Sequence, residues 1–227
     1  MNDFELKKAF LKKIYHGYEQ IVSTLGDWKC KPGCSDCCTS LAVVTTLEAA
    51  YLWERMPESL RANGSFMDNA PPLAFTTNEQ ASLCLSRTDF EEEELKESVA
   101  RCPLLVDDRC SCYDARPFMC RLMLSSIDCR VSGHAEIPSA LLSFNTAVLQ
   151  ILEDLDRDGW SGYLVHQLGH FQQDDLLERY ISGEASLDDS RVRRNHANPG
   201  LLIPPEHQEQ VADWLRKSDI WQCGYAR

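Results

Sequence analysis

The chain has 227 residues, of which 44% are hydrophobic and 26% are charged, a composition typical of a globular protein and not of a disordered one. Its 23 basic and 35 acidic residues give a formal net charge of -12, so nucleic acid is not an expected partner, because phosphate binding depends on clustered Lys and Arg. No segment approaches the roughly 18 apolar residues that span a bilayer, and the first residues lack the apolar core of a signal peptide. These observations predict a cytoplasmic protein with no membrane partner.

The first predicted elements are helices separated by a long loop. Apolar residues recur at helical spacing over residues 3–23. Thr45 and Glu48 form a capping box ahead of a second helix, which Pro57 ends. Residues 57–78 are rich in Pro, Asn, Gly and Ser and are predicted to form a loop.

The later elements are predicted to be helical as well. Helices are expected in the acidic stretch after Asp89, over residues 138–156, over residues 162–182 and after the Pro204 and Pro205 pair. No alternating pattern predicts a strand, and no internal repeat is present. The predicted fold class is therefore mainly α.

Cysteine is the most informative residue type in this sequence, with 11 occurrences. Two clusters account for most of them: Cys30, Cys34, Cys37, Cys38, and Cys102, Cys110, Cys112, Cys120. In a chain without a secretion signal this spacing favours metal binding over disulfides, because cytosolic thiols stay reduced. Strong metal-thiolate bonds also replace the apolar core that such short loops cannot build. We therefore predict that these cysteines bind metal.

The domain organisation follows from the position of the clusters. A small irregular cysteine-rich metal-binding domain, built among helices, is predicted over residues 1–135. A C-terminal helical region, residues 136–227, is predicted to pack on it.

The identity of the metal is less constrained than its presence. All-sulfur ligation suits zinc, iron-sulfur clusters or copper(I), and spacing does not separate them. No His is interleaved in the clusters, which favours an iron-sulfur cluster over zinc as the cofactor. Cys37 and Cys38 are adjacent and diverge in direction, so either they bind different metals or one of them supports a ligand without binding the metal itself.

Arginine is the one basic residue type near the second cluster, from position 101 to position 130. Arg116 and Arg121 are predicted to contact the cofactor, because a guanidinium supplies a fixed charge and hydrogen-bond donors to anionic sulfur. The alternative is that they form ordinary ion pairs with Asp114 and Asp128.

The stretches CKPGCSDCC, CPLL and DRCSCYDARPFMCR carry a family resemblance. They resemble the YkgJ-like cysteine-cluster family, described as zinc- or iron-chelating, whose pattern joins CxxCxxCC to a later C-P-x-L and C-x-x-Y-x-x-R-P-x-x-C-R. The resemblance covers residues 30–121 and implies metal binding by the clustered cysteines other than Cys112, which is extra to the pattern. Its signature also includes Tyr113, Arg116, Pro117 and Arg121. One departure is the three-residue spacing between Cys30 and Cys34, where the family has two.

Three functions are compatible with these residues. The first is a cluster-binding protein with a redox, metal-handling or accessory role. The second is a structural-zinc module whose C-terminal helices bind a protein partner. The third is a cluster-dependent protein-modifying enzyme, which an iron with an open coordination position would favour and full four-sulfur saturation would argue against.

Three further cysteines lie outside the clusters. Leu83 and Leu85 flank Cys84, which favours a small buried side chain over a ligand. Cys129 is a candidate spare ligand, and Cys223 has no assigned role.

Two other motifs suggest metal sites but lack a key residue. Residues 154–159, DLDRDG, match the start of a calcium loop, but Val165 stands where the closing Glu belongs, so an Asp-rich helix end is favoured. His166 and His170 have metalloprotease spacing, but Gln167 replaces the Glu and an amide cannot act as general base. Local packing is the favoured role of both histidines.

Overall fold

The computed structural model describes residues 3–66, 70–90, 99–173 and 175–221. Helices make up about 51% of the structure and strands about 7%, so the prediction of a mainly α fold is confirmed. Among the described helices, none combines the length and the apolar character needed to cross a bilayer. Cys223 and residues 91–98, most of the predicted acidic helix, lie outside the described residues.

The described helices run in chain order as α1 (Asp3–Ser23), α2 (Thr46–Arg55), α3 (Glu58–Asn63), α4 (Thr77–Leu85), α5 (Phe118–Leu122), α6 (Cys129–Ser132), α7 (Ser139–Leu155), α8 (Leu164–Gln173), α9 (Leu176–Ser182) and α10 (Gln208–Lys217). Single 3-10 turns occupy Tyr113–Ala115 and Pro205–His207. The strands are β1 (Val43–Thr45), β2 (Leu105–Val106), β3 (Arg109–Cys110), β4 (Trp160–Tyr163) and β5 (Arg193–Arg194). The predicted helices at α1, α2, α7 and α10 are thus confirmed.

The core lies between α1 and α7. Helix α7 also packs against α4 and α10. Tyr18 of α1 stacks on Phe144 of α7 with ring centroids 5.7 Å apart, and it meets Phe118 of α5 edge-on at 4.6 Å. One cluster of buried side chains extends from Phe4 to Ile220 and includes residues on both sides of position 135. The boundary between the two proposed regions therefore stays a prediction.

The expectation of no strands was wrong. β4 is the central strand of an antiparallel sheet in the order β1-β4-β5, with Val43 opposite Tyr163 and Trp160 opposite Arg194. β2 and β3 form a separate hairpin. Strands of two to four residues are too short to show the alternation that predicts a strand from sequence.

Two element predictions also need correction. Residues 57–78 contain α3 and the start of α4, and α4 opens with a capping box of Thr76 and Glu79 that was readable in the sequence. Residues 162–182 are not one helix, because the chain enters through β4 and then forms α8 and α9. A side chain at Gly162 would lie 2.6 Å from a Val192 methyl group, so this glycine permits the close approach of the segment that precedes β5.

The capping box of α2 is confirmed and connects several elements. Thr45 Oγ1 accepts from the backbone N–H of Glu48 at 3.2 Å, and Glu48 Oε2 accepts from the backbone N–H of Thr45 at 3.1 Å. The other carboxylate oxygen, Oε1, accepts from the Tyr15 hydroxyl and from the backbone N–H of Phe118, both at 2.8 Å. One buried carboxylate therefore joins α1, α2 and α5.

Candidate metal centre

The first cysteine cluster lies in an irregular segment, residues 24–42, between α1 and β1. Cys34 closes a turn by donating from its N–H to Lys31 O at 2.9 Å. Pro32 and Gly33 are the central residues of that turn, and Gly33 has φ +96°, which fits the type II turn that favours Pro followed by Gly. A second turn ends at Cys38, whose N–H donates to Ser35 O at 3.0 Å. The turns thus present the cysteines of this segment at short intervals.

The two cysteine clusters meet through their backbones. The N–H of Cys102 donates to Cys38 O at 3.0 Å, and the N–H of Ser40 donates to Ala100 O at 3.0 Å. Between these bonds, Thr39 and Arg101 form an antiparallel bridge. Segments more than sixty residues apart in the sequence therefore lie side by side.

The β2-β3 hairpin carries Cys110, which pairs with Leu105. Asp107 and Asp108 form its two-residue loop, with φ of +49° and +60°. Positive φ at both positions defines the type I′ turn, which matches the twist of short hairpins and accepts Asp. The loop returns the chain so that Cys110 faces the same cavity as Cys102.

Cys120 is held on the short helix α5. Pro117 precedes the helix, and the N–H of Cys120 donates to Pro117 O at 3.0 Å. The bond from Phe118 N–H to Glu48 anchors the start of α5 to α2. The position of Cys120 consequently depends on a buried carboxylate far away in the sequence.

These segments surround one cavity of about 320 Å³. Seven of the eight predicted ligands line it: Cys30, Cys34, Cys37, Cys38, Cys102, Cys110 and Cys120. Apolar side chains form much of the remaining wall, among them Leu41, Leu52, Leu104, Met119 and Leu164. The eighth, Cys112, does not line this cavity; it is buried beside Ser111, whose hydroxyl lies 3.8 Å from its sulfur.

The thiols encircle the cavity without converging on a single point. Nowhere in the described part of the chain do three or more Cys, His, Asp or Glu side chains form a group that could hold a metal ion. The cysteines are also all free thiols at the ten described positions.

Several of the cavity thiols resist ionisation. Burial, together with neighbouring thiols, raises the pKa of Cys30 to about 11 and that of Cys102 to about 11. Burial also raises the pKa of Cys120 well above its usual value. Cys37 hydrogen-bonds to Cys38, which raises the pKa of Cys37 and lowers that of Cys38. A metal that binds here must displace protons from thiols that are mostly neutral at pH 7.

Arg116 lies at the cavity wall and stacks on a neighbouring ring. Its guanidinium carbon is 3.9 Å from the centroid of Tyr113, and its Nη1 donates to Tyr113 O at 2.9 Å. Burial raises the pKa of Cys110, and the charge of Arg116 opposes that rise. Arg116 therefore places a fixed positive charge beside a candidate thiolate.

Arg121 also lines the cavity but uses its donors on the protein. Nε donates to Arg116 O at 2.8 Å and Nη2 donates to Asp114 O at 2.8 Å. Nη1 pairs with the Glu19 carboxylate of α1. Arg121 is only 5% exposed, so these bonds are buried. Together they hold the turn before α5 against α1.

The alternative of surface pairs with Asp114 and Asp128 is not what the structure shows. Arg121 binds the backbone oxygen of Asp114, and the carboxylate of Asp128 pairs with Arg130 at 2.9 Å. Glu19, which the sequence did not single out, is the ion-pair partner of both Arg121 and Arg116. Glu19 can pair with these arginines only because α1 packs beside α5. No local sequence pattern indicates that packing.

The cysteines outside the clusters differ in their surroundings. Cys84 is exposed on α4, so the expectation of a buried side chain was wrong. Leu85, which motivated that expectation, is itself exposed, because this end of α4 does not face the core. Cys129 begins α6 and lines a second cavity together with Cys30 and Cys34.

The two weaker motifs have structural roles. Asp156 follows α7, is completely buried, and accepts hydrogen bonds from the Tyr180 hydroxyl and from the backbone N–H of Leu47. His166 and His170 are buried in α8, and His170 Nε2 lies 3.0 Å from a carboxylate oxygen of Asp189.

Comparison with protein-family models, curated proteins and solved structures finds no match to this chain. The family resemblance of residues 30–121 therefore stays a prediction from their motifs. The arrangement of the cysteines around the cavity is the observation that bears on function.

Proposed function

We propose that this chain is a cytoplasmic metal-binding protein that carries an iron-sulfur cluster in the cysteine-lined cavity, with a redox, metal-handling or accessory role. One observation supports the proposal above all others: cysteines from two segments that are distant in sequence line one cavity of about 320 Å³. Thiols that served only as small apolar side chains would have no reason to gather there.

The side chains that line the cavity suit an iron-sulfur cluster. Thiolates are the ligands that iron-sulfur clusters use, and the four cysteines of a [4Fe–4S] cluster each bind a different iron atom. Thiols spread around a cavity match that requirement better than they match one zinc ion, which needs four ligands at about 2.3 Å from a single point. The apolar part of the wall would limit solvent access to the bound group.

Binding would need the thiols to turn inward as they lose their protons. Neutral thiols attract one another only weakly, whereas a cation draws thiolates together. Arg116 would offset part of the added negative charge, and Arg121 would keep the turn before Cys120 in place. These arginines would thus position and balance the site.

Free thiols at all ten described cysteine positions fit a reducing compartment such as the cytoplasm. The acidic net charge of -12 argues against nucleic acid as a partner.

A second candidate is a structural-zinc module that binds a protein partner. Residues 24–42 contain turns but no helix, and a few backbone bonds such as Cys102 N–H to Cys38 O join them to the second cluster. A zinc ion would stabilise a segment of this kind by tying it to its neighbour. In that case the metal would have no redox role.

The two candidates predict different compositions. Protein purified without oxygen should contain iron and acid-labile sulfide, and its visible absorption should bleach with dithionite. Zinc without sulfide would support the structural module instead.

Variants test the ligand assignment. Cys120→Ser should lower the bound metal, because it removes a thiolate from the cavity, whereas Cys84→Ser should leave metal content unchanged, because Cys84 is exposed on α4. Metal analysis of both proteins checks this. Equal metal content in the two variants would contradict the proposed site.

A further inference from the structure

A second cavity, of about 400 Å³, adjoins the cysteine-lined cavity. Cys30 and Cys34 line both cavities. The second cavity has four cationic side chains and two acidic ones in its wall: Lys29, Lys31, Arg109 and Arg130, and Asp107 and Asp128. A chain with a formal net charge of -12 therefore has a locally positive surface beside two candidate metal ligands.

Three of these four cations have no carboxylate partner. Arg130 pairs with Asp128 at 2.9 Å, so these two charges offset each other. Within the described part of the chain, the side chains of Lys29, Lys31 and Arg109 form no ion pair, and all three residues are exposed. We call these three side chains the free cations. An exposed cation without a partner can pair with a carboxylate of another molecule.

Backbone bonds fix the positions of the two lysines. The N–H of Lys29 donates to Ser125 O at 2.9 Å, which joins the start of the first cysteine cluster to the segment before α6. Lys31 O accepts from the N–H of Cys34 at 2.9 Å. The positive charges are therefore attached to the same turns that present Cys30 and Cys34.

Exposed apolar side chains lie among these charges. Val106 is 52% exposed and is the direct partner of Arg109 in the β2-β3 hairpin, so both side chains project from the same face of the hairpin. Val131 follows Arg130 on α6 and is 86% exposed. A few apolar side chains among charged ones suit the small, polar and transient interfaces that electron-transfer proteins form.

We propose that the free cations form the docking surface for an acidic electron-transfer protein, which exchanges electrons with the group bound by the cavity cysteines. This inference rests on the proposed function and deepens it by naming the class of partner. In this step one electron leaves the reduced centre of the partner and enters the cluster. The partner is oxidised by one electron, the cluster is reduced by one, and no bond forms or breaks.

The overall charge of this chain makes the docking directional. An acidic partner is repelled by the net charge of -12 and is attracted where cations outnumber carboxylates. Because salt screens charges beyond about 8 Å at physiological ionic strength, the nearest groups decide where the partner binds. The free cations thereby place the acidic face of the partner next to Cys30 and Cys34.

Binding of a flavodoxin, an acidic one-electron carrier, tests the surface. Electrostatic docking depends on charge more than on one particular shape, so this carrier is a suitable probe. Isothermal calorimetry with oxidised flavodoxin should show binding at about 20 mM salt that weakens about tenfold or more at about 200 mM salt.

Charge-reversal variants locate the surface. Lys29→Glu combined with Lys31→Glu should weaken the binding at low salt about tenfold or more, and Arg109→Glu should weaken it as well. Lys12→Glu combined with Lys13→Glu is the matched control, because it changes the net charge by the same amount on exposed residues of α1 that line neither cavity. Circular dichroism should find the same helix content in all of these proteins. Equal weakening in the double variant and its control would show that net charge alone governs binding and would overturn the docking surface.

Stopped-flow mixing with fully reduced flavodoxin tests the electron transfer. Loss of one electron gives the blue flavin semiquinone, whose absorption reports the step. The second-order rate constant should fall about tenfold or more in Lys29→Glu with Lys31→Glu and stay close to the wild-type value in the control. Binding without semiquinone formation, in wild-type protein that contains iron and sulfide, would overturn the role in electron transfer.

The outcomes are distinguishable from failure of the proposed function. A wild type without iron and sulfide would overturn the proposed function and the electron transfer, whereas the calorimetric comparison would still decide whether the docking surface exists. A dimer of this chain that Lys29→Glu with Lys31→Glu dissociates would assign the surface to a second copy. Tighter binding to phosphatidylglycerol vesicles than to flavodoxin would assign it to a membrane. Either of these two results would overturn the proposed partner.

Discussion

Buried polar side chains decide much of the local geometry around the cysteines. Arg121 donates to two backbone oxygens and to a carboxylate on α1, so an apparent cofactor ligand is first of all a support for the turn before α5. A charge this deeply buried is stable only when its donors are satisfied. Asp156 is also deeply buried, and its burial makes the free energy of unfolding depend on pH.

Burial raises the pKa of Asp156 from 3.8 to about 7. Because the folded state holds this proton more tightly than the unfolded state, the stabilisation is complete below about pH 4 and is lost as the pH rises through 7. Asp156→Asn should therefore flatten the pH dependence of the free energy of unfolding over this range. The difference is at most about 4 kcal/mol, from 1.36 kcal/mol per pKa unit.

Denaturant unfolding at several pH values checks this expectation. Asp158→Asn is a suitable control, because the Asp158 side chain is 68% exposed and lies two residues away. Parallel pH profiles for wild type and Asp156→Asn would show that Asp156 does not retain its proton in the folded state.

Two capping boxes with the same chemistry differ in the helices and strands that they connect. Thr45 with Glu48 opens α2, and Thr76 with Glu79 opens α4. Glu48 also accepts from Phe118 N–H, whereas Glu79 pairs with Arg193 of β5 at 2.6 Å. Only the first box is connected to the helix that carries a cavity cysteine.

Glu48→Ala should therefore destabilise the protein and lower its metal content. It removes the cap and leaves the Phe118 N–H and the Tyr15 hydroxyl without their acceptor, at a cost of about 2–4 kcal/mol. Glu79→Ala removes the equivalent cap and a partly exposed ion pair, at a cost of about 1–2 kcal/mol. Unfolding curves and metal analysis measure both effects.

Comparing the two variants separates an effect on the cavity from a general loss of stability. Glu79→Ala is expected to keep its metal, because α4 does not contribute to the cavity wall. Similar metal loss in both variants would mean that general destabilisation, and not the position of α5, controls binding.

Across the whole molecule, the helical core and the cysteine segments differ in what stabilises them. The core around α1 and α7 is a continuous cluster of buried side chains. Residues 24–42 depend on turns and a few connecting bonds, and the segment from 101 to 130 adds a short hairpin and α5, of which Phe118 reaches the core. Metal binding would add most stability to these segments.

Metal removal should loosen the cysteine segments and leave the core helices in place. Acidification is expected to release the metal, because protons compete for thiols whose pKa values lie above neutrality, such as Cys30 and Cys102 at about 11. The metal-free protein should respond in the opposite direction, since raised thiol pKa values stabilise it below about pH 9 and that stabilisation is lost as the pH rises through 11.

Hydrogen exchange on metal-bound and metal-free protein would locate the change. Amides of residues 24–42 and 101–130 should lose protection, while those of α7 should keep theirs. Uniform loss of protection along the chain would show instead that metal binding and global folding are one event.

Local patterns were sufficient for the helices with a strong apolar period and a recognisable start. The bounds of α1, α2 and α7 followed from periodicity and from signals such as the Thr45 capping box. The same patterns failed at β4, where a four-residue strand precedes α8, because so short a strand takes its stability from its neighbours in the sheet.

The presence of two cysteine clusters, and hence the expectation of thiolate chemistry, could be read directly from residue type and spacing. Packing alone determined which thiols share a cavity: Cys112 is excluded, Cys129 lines a second cavity with Cys30 and Cys34, and Glu48 and Glu19 support the turn that holds Cys120. The physical reason is that spacing along the chain constrains neighbours within a turn or two, whereas contacts across sixty or more residues depend on how the whole chain folds.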